Sequence, residues 1–521
     1  MTAEQNVPAE AGIRKAFSIF IYPFFFRKDA YQLVLENILK DPAWQLEITD
    51  FSDEEEYRHL RYFYPYFRNF LFPAAFLKSE ELSCFPAEKL FIKGDGMDET
   101  TAVRSGWRMG SVKKQIKILG SWQVIRWRWG IDRSTRFRQE FNFFGWSARF
   151  QKVSLLLFPT GVGLLLLEVT PEKKLGIAEL REFNKKFTVL EEMAFGELKP
   201  AELEVSTGAE TERVLLREVI LKVFLGFLPD HLREEGSYAS GEAMLHHYCF
   251  LCVDLKSDND LQEVLNCFAE NLAVFRRRTQ FRGIDTRGWF TKMGASVVTG
   301  VSEGAGGPRP ENLRRYWRTF YFDIFLHALY HRLSLLKFSW ELSRIDELVA
   351  NAGEVSRLHW RFFQFTNKAW FGHLTNAEYG NLIWKQWKEV METEQLYEEV
   401  RVQLKELDDY LERKRRERNE NLVRLLTCLG FPLSLVFGLF SANVFAVEGM
   451  RISLRTAAAL AGAIIIPSIL LMWHYFWNMA RREAYSMYRH PGFLNRKKWL
   501  GAMKGFKRKV GDGGNVYRIS S

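Results

Sequence analysis

Two apolar segments near the C-terminus constrain this chain more than any other feature of its sequence. Residues 425–446 and 456–477 each span 22 positions without Asp, Glu, Lys or Arg. A helix of about 20 such residues is long enough to cross the hydrocarbon core of a bilayer. The nine residues between the two segments are enough only for a loop. The sequence therefore predicts a transmembrane hairpin with a first helix over 421–446, an external loop over 447–455 and a second helix over 456–477.

Basic residues flank both outer ends of this hairpin. Residues 480–521 carry eleven Lys or Arg against two acidic residues, and five basic residues precede the first segment: Arg413, Lys414, Arg415, Arg416 and Arg418. Positively charged flanks stay on the cytoplasmic side of a membrane. We therefore expect a multi-pass protein of the cell (inner) membrane, with both termini in the cytoplasm and a basic cytoplasmic tail over 478–521. Because this topology accounts for the charge, we expect the lipid bilayer as a partner and no nucleic acid.

The N-terminus has none of the features of a targeting peptide. Residues 1–10 have no basic start and no apolar core, so they fit neither a signal peptide nor an Arg-rich transit peptide. We expect a disordered lead over 1–12, with the C-terminal hairpin acting as the insertion signal. Five cysteines in 521 residues do not make a disulfide framework, which favours a reducing compartment.

Residues 13–300 show the pattern of an α/β (α+β) domain. Two nearly continuous apolar runs over 153–169 are separated by Pro159 and Gly161, which predicts a hairpin of strands covered on both faces. Helices are predicted over 177–190 and 258–272. Further strands are predicted over 244–255 and over 16–26, where Pro23 is expected to end or bend the strand.

Composition changes after the Gly- and Pro-rich loop over 301–310, which predicts a domain boundary followed by a helical region and stalk over 311–420. One long helix is predicted over 311–348 and another over 355–370. From Asn376 a single helix is expected to run toward the first apolar segment. Its apolar positions Tyr397, Val400, Leu404, Leu407 and Leu411 follow steps of three and four residues. This coiled-coil-like stripe predicts long stalk helices that associate between subunits.

Several short motifs are weak candidates for chemistry. Cys249 and Cys252 lie near His246 and His247, but a strand would direct the two cysteines to opposite faces, so buried structural cysteines are the favoured interpretation over a zinc site. The Gly-rich loop at 304–307 lacks the Gly-Lys-Ser/Thr of a phosphate-binding loop. No Ser/His/Asp or Cys/His set is recognisable, so we expect a protein that is not an enzyme and has no cofactor.

Polar residues inside the first apolar segment are the strongest candidates for function. Ser434, Ser441 and Asn443 lie in the second half of the predicted first helix over 421–446. Polar groups within a membrane are costly and usually face a partner or a water-filled path. Taken alone, Asn443 also fits a helix-packing or helix-capping role at the interface.

The sequence from Pro432 to Asn443 resembles the end of the first transmembrane helix of CorA-type magnesium transporters. That family has a Pro-Leu-Thr, a Gly-Ile-Tyr and a Gly-Met-Asn; here Pro432, Leu433 and Gly438 match, and Asn443 falls on the family's Asn. The layout of a large N-terminal domain, a stalk helix, two spans and a basic tail is also similar. Ser441 and Ala442 replace the family's Gly and Met, so the chain resembles a divergent member.

The resemblance implies a homopentamer whose first transmembrane helix lines a central pore for divalent cations, Mg²⁺ or a related ion. A ring of Asn443 carboxamides at the outer mouth would bind the hydrated ion through its water shell. Ser441, Ser434 and Thr427 would be pore-facing, and Phe431 would form a hydrophobic constriction. Arg413–Arg418 together with Lys497 and Lys498 would form a positive collar at the inner mouth.

The external loop departs from what a cation pore needs. Glu448 is opposed there by Arg451 and Arg455, so the loop is net positive and would not concentrate cations. This departure predicts a changed ion selectivity. It also leaves a second hypothesis open: a CorA-like oligomeric membrane scaffold or sensor with a degenerate, non-selective or non-conducting pore.

Overall fold

The fold is taken from a computed structural model. It describes residues 13–49, 60–73, 90–93, 115, 124–130, 140–192, 199–207, 210–234, 244–255, 279–283, 286–302, 309–345, 352–441 and single positions between 462 and 474. The predicted lead over 1–12, the predicted helix over 258–272, the loop over 447–455 and the tail over 478–521 lie outside these residues. The chain divides into two compact units, Met1–Leu407 and Asp408–Ser521. The loop over 301–310 lies inside the first unit.

Thirteen described strands join one large sheet in the first unit. Their bounds are β1 (Ile13–Phe25), β2 (Trp44–Thr49), β3 (Leu90–Lys93), β4 (Ile125–Trp129), β5 (Glu140–Phe143), β6 (Trp146–Phe158), β7 (Val162–Pro171), β8 (Glu202–Thr207), β9 (Glu210–Leu215), β10 (His246–Leu255), β11 (Thr279–Gly283), β12 (Thr286–Thr291) and β13 (Gly294–Ser302). The order across the sheet is β11-β12-β13-β10-β1-β7-β6-β4-β2-β3, and a branch runs from β6 through β5 and β8 to β9.

The sheet is mixed in direction. Most neighbouring strands are antiparallel, including β1 with β7 and β10 on its two sides. β10 with β13 and β2 with β3 are parallel pairs. Together with the helices described below, this confirms the prediction of a mixed α/β domain. The first predicted strand is also confirmed, but Pro23 does not end it. Pairing with β10 stops at Ile21 while pairing with β7 continues to Phe25, so Pro23 lies where one side of the strand is unpaired and its missing N–H is tolerated.

The predicted hairpin over 153–169 is confirmed by β6 and β7. Both strands are buried on both faces over most of their pairing. Gly161 forms the turn with a φ of +83°, a conformation that costs glycine little. Its carbonyl oxygen accepts a hydrogen bond from the Phe26 N–H at 3.0 Å. The turn is therefore tied to the end of β1.

Eight helices of seven or more residues lie among the described residues, and after β9 a short helical turn (Leu216–Glu218) continues into a π-helical turn (Val219–Phe224). Their bounds are α1 (Tyr31–Lys40), α2 (Pro65–Leu71), α3 (Ile177–Phe187), α4 (Arg309–Arg318), α5 (Phe320–Ser343), α6 (Ala352–Lys368), α7 (Glu378–Met391) and α8 (Thr393–Ser441). The predicted helix over 177–190 corresponds to α3. Glu179 caps this helix by accepting the Gly176 N–H at 2.8 Å.

The alternating side chains of β1 face the two larger of the three hydrophobic cores that the described residues form. Ile19 and Ile21 belong to one core, which α2 and α4–α7 cover together with the start of α8. Phe20 and Phe24 belong to the other, which α1, α3 and the π-helical turn cover. This period of two places a fully buried strand between two helical layers.

Two predictions of a single continuous helix were wrong, because each helix is interrupted in the structure. The helix predicted over 311–348 is two helices, α4 and α5, separated at Thr319, whose φ and ψ are −119° and −85°. The single helix predicted from Asn376 is also two, because Glu392 adopts a left-handed conformation with a φ of 54° between α7 and α8. Neither break contains Gly or Pro, so contacts with the rest of the fold must hold them.

Candidate functional site: the stalk helix and its attachment

The break between α7 and α8 is held by charged residues from two other elements. Lys292, in the turn between β12 and β13, makes a close ion pair with Glu392. Arg332 of α5 donates a hydrogen bond from Nη1 to the Met391 carbonyl oxygen at 2.7 Å and lies 3.9 Å from the Glu392 carboxylate. Burial lowers the pKa of Arg332, although the Glu392 carboxylate opposes this shift. The turn of the sheet, α5 and the start of α8 therefore meet at one joint.

The first turns of α8 pack against helices of the same chain. Tyr397 stacks on Trp370 with ring centroids 4.6 Å apart and on Phe362 at 5.4 Å. Val400 and Leu404 are buried in the same core as β1. This part of the coiled-coil-like stripe is covered within the chain. It therefore does not by itself require association between subunits, contrary to the argument from the sequence.

An open cavity of about 620 Å³ lies beside the joint. It is lined by carboxylates and amines from the ends of α7 and α8, including Glu389, Lys388 and Glu394. Lys388 pairs with Glu394 at 2.6 Å, so the opposite charges largely satisfy each other. Across the part of the chain that the structure describes, no group of three or more His, Cys, Asp or Glu side chains is arranged to hold a metal ion.

The five basic residues predicted as an inner collar lie on one exposed stretch of α8. Four of them, Arg413, Arg415, Arg416 and Arg418, are exposed, and Lys414 is half-buried. Arg416 pairs with Glu412 at 2.6 Å within the helix. The described geometry thus places these cations on the surface of a single helix, while Lys497 and Lys498 lie outside the described residues.

The predicted pore residues fall on the same helix or beyond its end. Thr427 and Ser434 are exposed and seven residues apart, which places them on one face of α8. The Thr427 hydroxyl donates to the Val423 carbonyl oxygen at 2.8 Å. The backbone at Phe431 and Ser441 is helical. Asn443 and Glu448 lie outside the described residues.

The part of α8 that leads into the apolar segment exposes large hydrophobic side chains. Leu422, Val423 and Leu426 are 58%, 61% and 66% exposed, and Ile466 and Leu470 further along are exposed to a similar degree. Among the described residues, no helix is both long enough and apolar enough to span a membrane.

The cysteine motif lies on a buried strand. Cys249 and Cys252 are buried on β10 and form no disulfide with each other. Cys252 belongs to the core that contains Ile19, and the Cys249 thiol donates to Ser296 Oγ at 3.2 Å. Burial raises the pKa of the Cys249 thiol to about 11, so the thiolate that a metal needs is disfavoured. These observations agree with the interpretation as structural cysteines.

Sequence reasoning missed the joint at Glu392 because its partners are distant along the chain. Lys292 and Glu392 are 100 residues apart, and no local pattern marks either of them as special.

Comparison with known proteins assigns no family to this chain. No protein-family model matches the sequence, and a comparison with curated proteins finds no match.

Proposed function

We propose that this chain is a CorA-like membrane channel or transporter for divalent metal cations, Mg²⁺ or a related ion. In this proposal five copies assemble around a central pore lined by the apolar segment at the end of α8. Hydrated cations pass through the pore, and both termini lie in the cytoplasm. The two apolar segments, 425–446 and 456–477, form the membrane hairpin.

The proposal rests chiefly on the continuity of α8. One helix of 49 residues begins at the joint with the sheet and α5, then carries the basic stretch, and then enters the charge-free segment. The exposure of Leu422, Val423 and Leu426 supports an apolar environment for this part of the helix, because neighbouring exposed apolar side chains mark contact with lipid or protein. The spacing of Thr427 and Ser434 supports one hydroxyl-bearing face toward the pore.

Asn443 is the proposed ion-binding residue. A carboxamide carries both donors and an acceptor, so a ring of five can hydrogen-bond the water shell of a cation that dehydrates reluctantly. The net-positive loop after it would lower the local cation concentration, and the proposal therefore includes weaker selectivity for Mg²⁺ than the family pattern implies.

The experiment is ion flux into proteoliposomes containing the full chain, with Mg²⁺, Co²⁺, Ni²⁺ and Zn²⁺ tested separately. The proposal expects flux for at least one ion and a loss of at least about tenfold in Asn443→Ala. Asn419→Ala is the matched control, because it makes the same substitution at an exposed position of α8 before the apolar segment. Equal flux in Asn443→Ala and the unsubstituted protein would remove the assigned role of Asn443.

A second candidate function is a CorA-like scaffold or sensor whose pore does not conduct. The joint at Glu392 favours it, because this ion-paired contact links the sheet directly to the start of α8. Absence of flux for every ion from an intact pentamer would support this alternative. Native mass spectrometry of the detergent-solubilised chain separates the outcomes, since a monomer would contradict both hypotheses.

A further inference from the structure

A charged cavity of about 450 Å³ lies on the face of the sheet that α4 and α5 cover. Its floor is apolar and is formed by Ile19, Leu156 and Leu166 from three adjacent strands. Phe322 of α5 and Phe72 add aromatic walls. The volume lies within the range of about 300–1,000 Å³ that is typical of small-molecule sites.

Carboxylates hold cationic side chains in place around this cavity. Arg126 donates to Asp323 at 2.9 Å and to the Leu71 carbonyl oxygen at 3.1 Å, and its guanidinium lies 4.0 Å from the centroid of the Phe72 ring. The Asp323 side chain is only 5% exposed, so a buried carboxylate holds the Arg126 guanidinium in one orientation. A cation that is oriented by a buried carboxylate loses little freedom when it binds a ligand.

Two more ion pairs repeat this arrangement. Nη2 of Arg318 donates to both oxygens of the buried Glu168 at 2.6 and 2.8 Å. Since a guanidinium has five N–H donors, these bonds leave Nε and Nη1 to contact a ligand. Lys152 pairs with the buried Glu47 at 3.1 Å.

The cavity carries more positive than negative charge. Six Arg or Lys line it, namely Arg126, Arg128, Lys152, Arg314, Arg315 and Arg318. Four carboxylates oppose them, from Glu47, Glu168, Glu311 and Asp323. The lining therefore has a net charge of +2, because six cations minus four carboxylates leaves two. This balance favours an anionic ligand of charge near −2.

A buried hydroxyl on β6 provides an independent sign of a ligand. Ser154 lies on β6 and lines the cavity, and the residue is 5% exposed. Its Oγ has no hydrogen-bond partner among the described residues. A buried polar atom of this kind costs free energy unless a ligand or a water satisfies it.

We propose that this cavity binds a small organic phosphate: a phosphate monoester on an apolar or aromatic body of mononucleotide size. The arginines match a phosphate because guanidinium groups bind its oxygens bidentately, and the Ser154 hydroxyl can donate to a further oxygen. The apolar floor and the aromatic walls accommodate the uncharged body of the ligand. This site is independent of whether the apolar segments conduct ions.

The test is isothermal titration calorimetry on the full, detergent-solubilised chain in a buffer with EDTA, which removes divalent cations. AMP is the probe, and adenosine and inorganic phosphate are the reference ligands. We expect AMP to bind and adenosine not to bind, because the phosphate supplies the charge. Equal affinity for phosphate and AMP would assign the site to free phosphate and overturn the mononucleotide-sized ligand. Absence of binding for both would overturn the site itself.

Three variants locate the binding. Arg315→Gln removes one cation of the lining and should weaken AMP binding by at least about tenfold. Arg344→Gln is the control, because Arg344 is exposed and lies outside the lining of the cavity. Ser154→Ala should weaken binding several-fold while leaving the stability of the ligand-free chain unchanged or higher, since it removes an unsatisfied buried hydroxyl. Unchanged affinity in both Arg315→Gln and Ser154→Ala would place AMP elsewhere on the protein.

Discussion

The imidazole rings of His327 and His331 lie 4.1 Å apart, centroid to centroid, one turn apart on α5 and completely buried. The Nε2 atom of His331 hydrogen-bonds to the Ala369 carbonyl oxygen at 2.8 Å, whereas neither ring nitrogen of His327 has a partner among the described residues. The rings pack against Phe67, Trp370 and Trp384. Two adjacent imidazoles in this apolar setting must both be neutral.

The histidine pair makes the fold sensitive to acid. Burial lowers the pKa of His331 to about 3 and the pKa of His327 well below its usual range. In the unfolded chain both histidines become protonated near pH 6.5, whereas in the folded chain they stay neutral to much lower pH. The free energy of unfolding is therefore at its full value above pH 6.5 and decreases as the pH falls toward 3. We expect the free energy of unfolding to fall by about 2 kcal/mol per histidine between pH 7.5 and 5.0. Urea titrations of the full chain in detergent at the two pH values measure it.

A substitution separates this pair from other titrating groups. His331→Gln retains an N–H donor toward Ala369 but cannot titrate. It should therefore make the fall in the free energy of unfolding between pH 7.5 and 5.0 smaller by about 2 kcal/mol. His373→Gln, at an exposed position, is the control for the substitution itself. An identical pH dependence in His331→Gln and the unsubstituted chain would contradict a neutral, buried His331.

Gly161 should be sensitive to any substitution that adds a side chain. A Cβ at this position would lie 2.5 Å from both the Lys337 Nζ and the Phe26 carbonyl oxygen, and the φ of +83° adds strain. We expect Gly161→Ala to reduce the free energy of unfolding by about 3 kcal/mol. Urea unfolding measures the change.

Gly145 offers a matched control for this substitution. Its φ of +84° is nearly the same, but nothing lies within 4 Å of an added Cβ. Gly145→Ala should therefore cost only the backbone term of about 1–2 kcal/mol. Equal costs at the two positions would show that the crowding around Gly161 relaxes without penalty.

Lys337 should be essential for joining α5 to the β6–β7 turn. Its buried ammonium donates to the Phe26 carbonyl oxygen at 2.7 Å and to the Gly161 carbonyl oxygen at 3.2 Å, and it pairs with Glu234 at 2.7 Å. Lys337→Met would leave the Glu234 carboxylate without this cation, which should cost about 3–5 kcal/mol. The free energy of unfolding from urea titration is the readout.

The double substitution Lys337→Met with Glu234→Gln should recover part of this loss, because it removes the uncompensated charge. Lys222→Met is the control, since Lys222 forms an exposed pair with Glu218 and should change stability by less than about 1 kcal/mol. No recovery in the double variant would assign the loss to packing of the lysine stem instead.

The joint at Glu392 should control how firmly the start of α8 is held. Lys292→Met removes the ion pair with Glu392 while keeping an apolar stem of similar length. We expect faster amide hydrogen exchange over residues 393–400, because the left-handed residue then loses its ion pair with the turn of the sheet. Lys40→Met, which removes an exposed pair with Glu36, serves as the control. Unchanged exchange in Lys292→Met would mean that backbone contacts are sufficient to hold the joint.

Sequence patterns predicted the strands and helices whose formation depends mainly on residues close to one another in the chain. The β6–β7 hairpin was visible as two apolar runs around Gly161, and the helix predicted over 355–370 corresponds to α6 within a few residues of its ends. The breaks at Thr319 and Glu392 were not visible, because both residues are compatible with a continuous helix. At Glu392 the stabilising partners lie on a sheet turn and on α5, so only the tertiary structure brings them together.

The charged cavity was hidden from sequence analysis for a related reason. Arg126, Lys152 and Arg318 come from two strands and a helix, and each is unremarkable among its neighbours in the sequence. Their common location depends on the order of the strands and on the placement of α4. The candidate pore residues, by contrast, were inferred from the sequence alone, and the stretch 442–461 lies outside the described residues.

The position of β1 at the centre of the sheet has a consequence for biosynthesis. This strand leaves the ribosome before both of its neighbours, β7 and β10, which end at Pro171 and Leu255. Until those residues have been translated, β1 is an apolar segment with both edges unpaired, a condition that favours chaperone binding or aggregation. The sheet can close before the ribosome reaches the apolar segment that begins at residue 425. Synthesis of the chain therefore separates closure of the sheet from the emergence of the two apolar segments, 425–446 and 456–477.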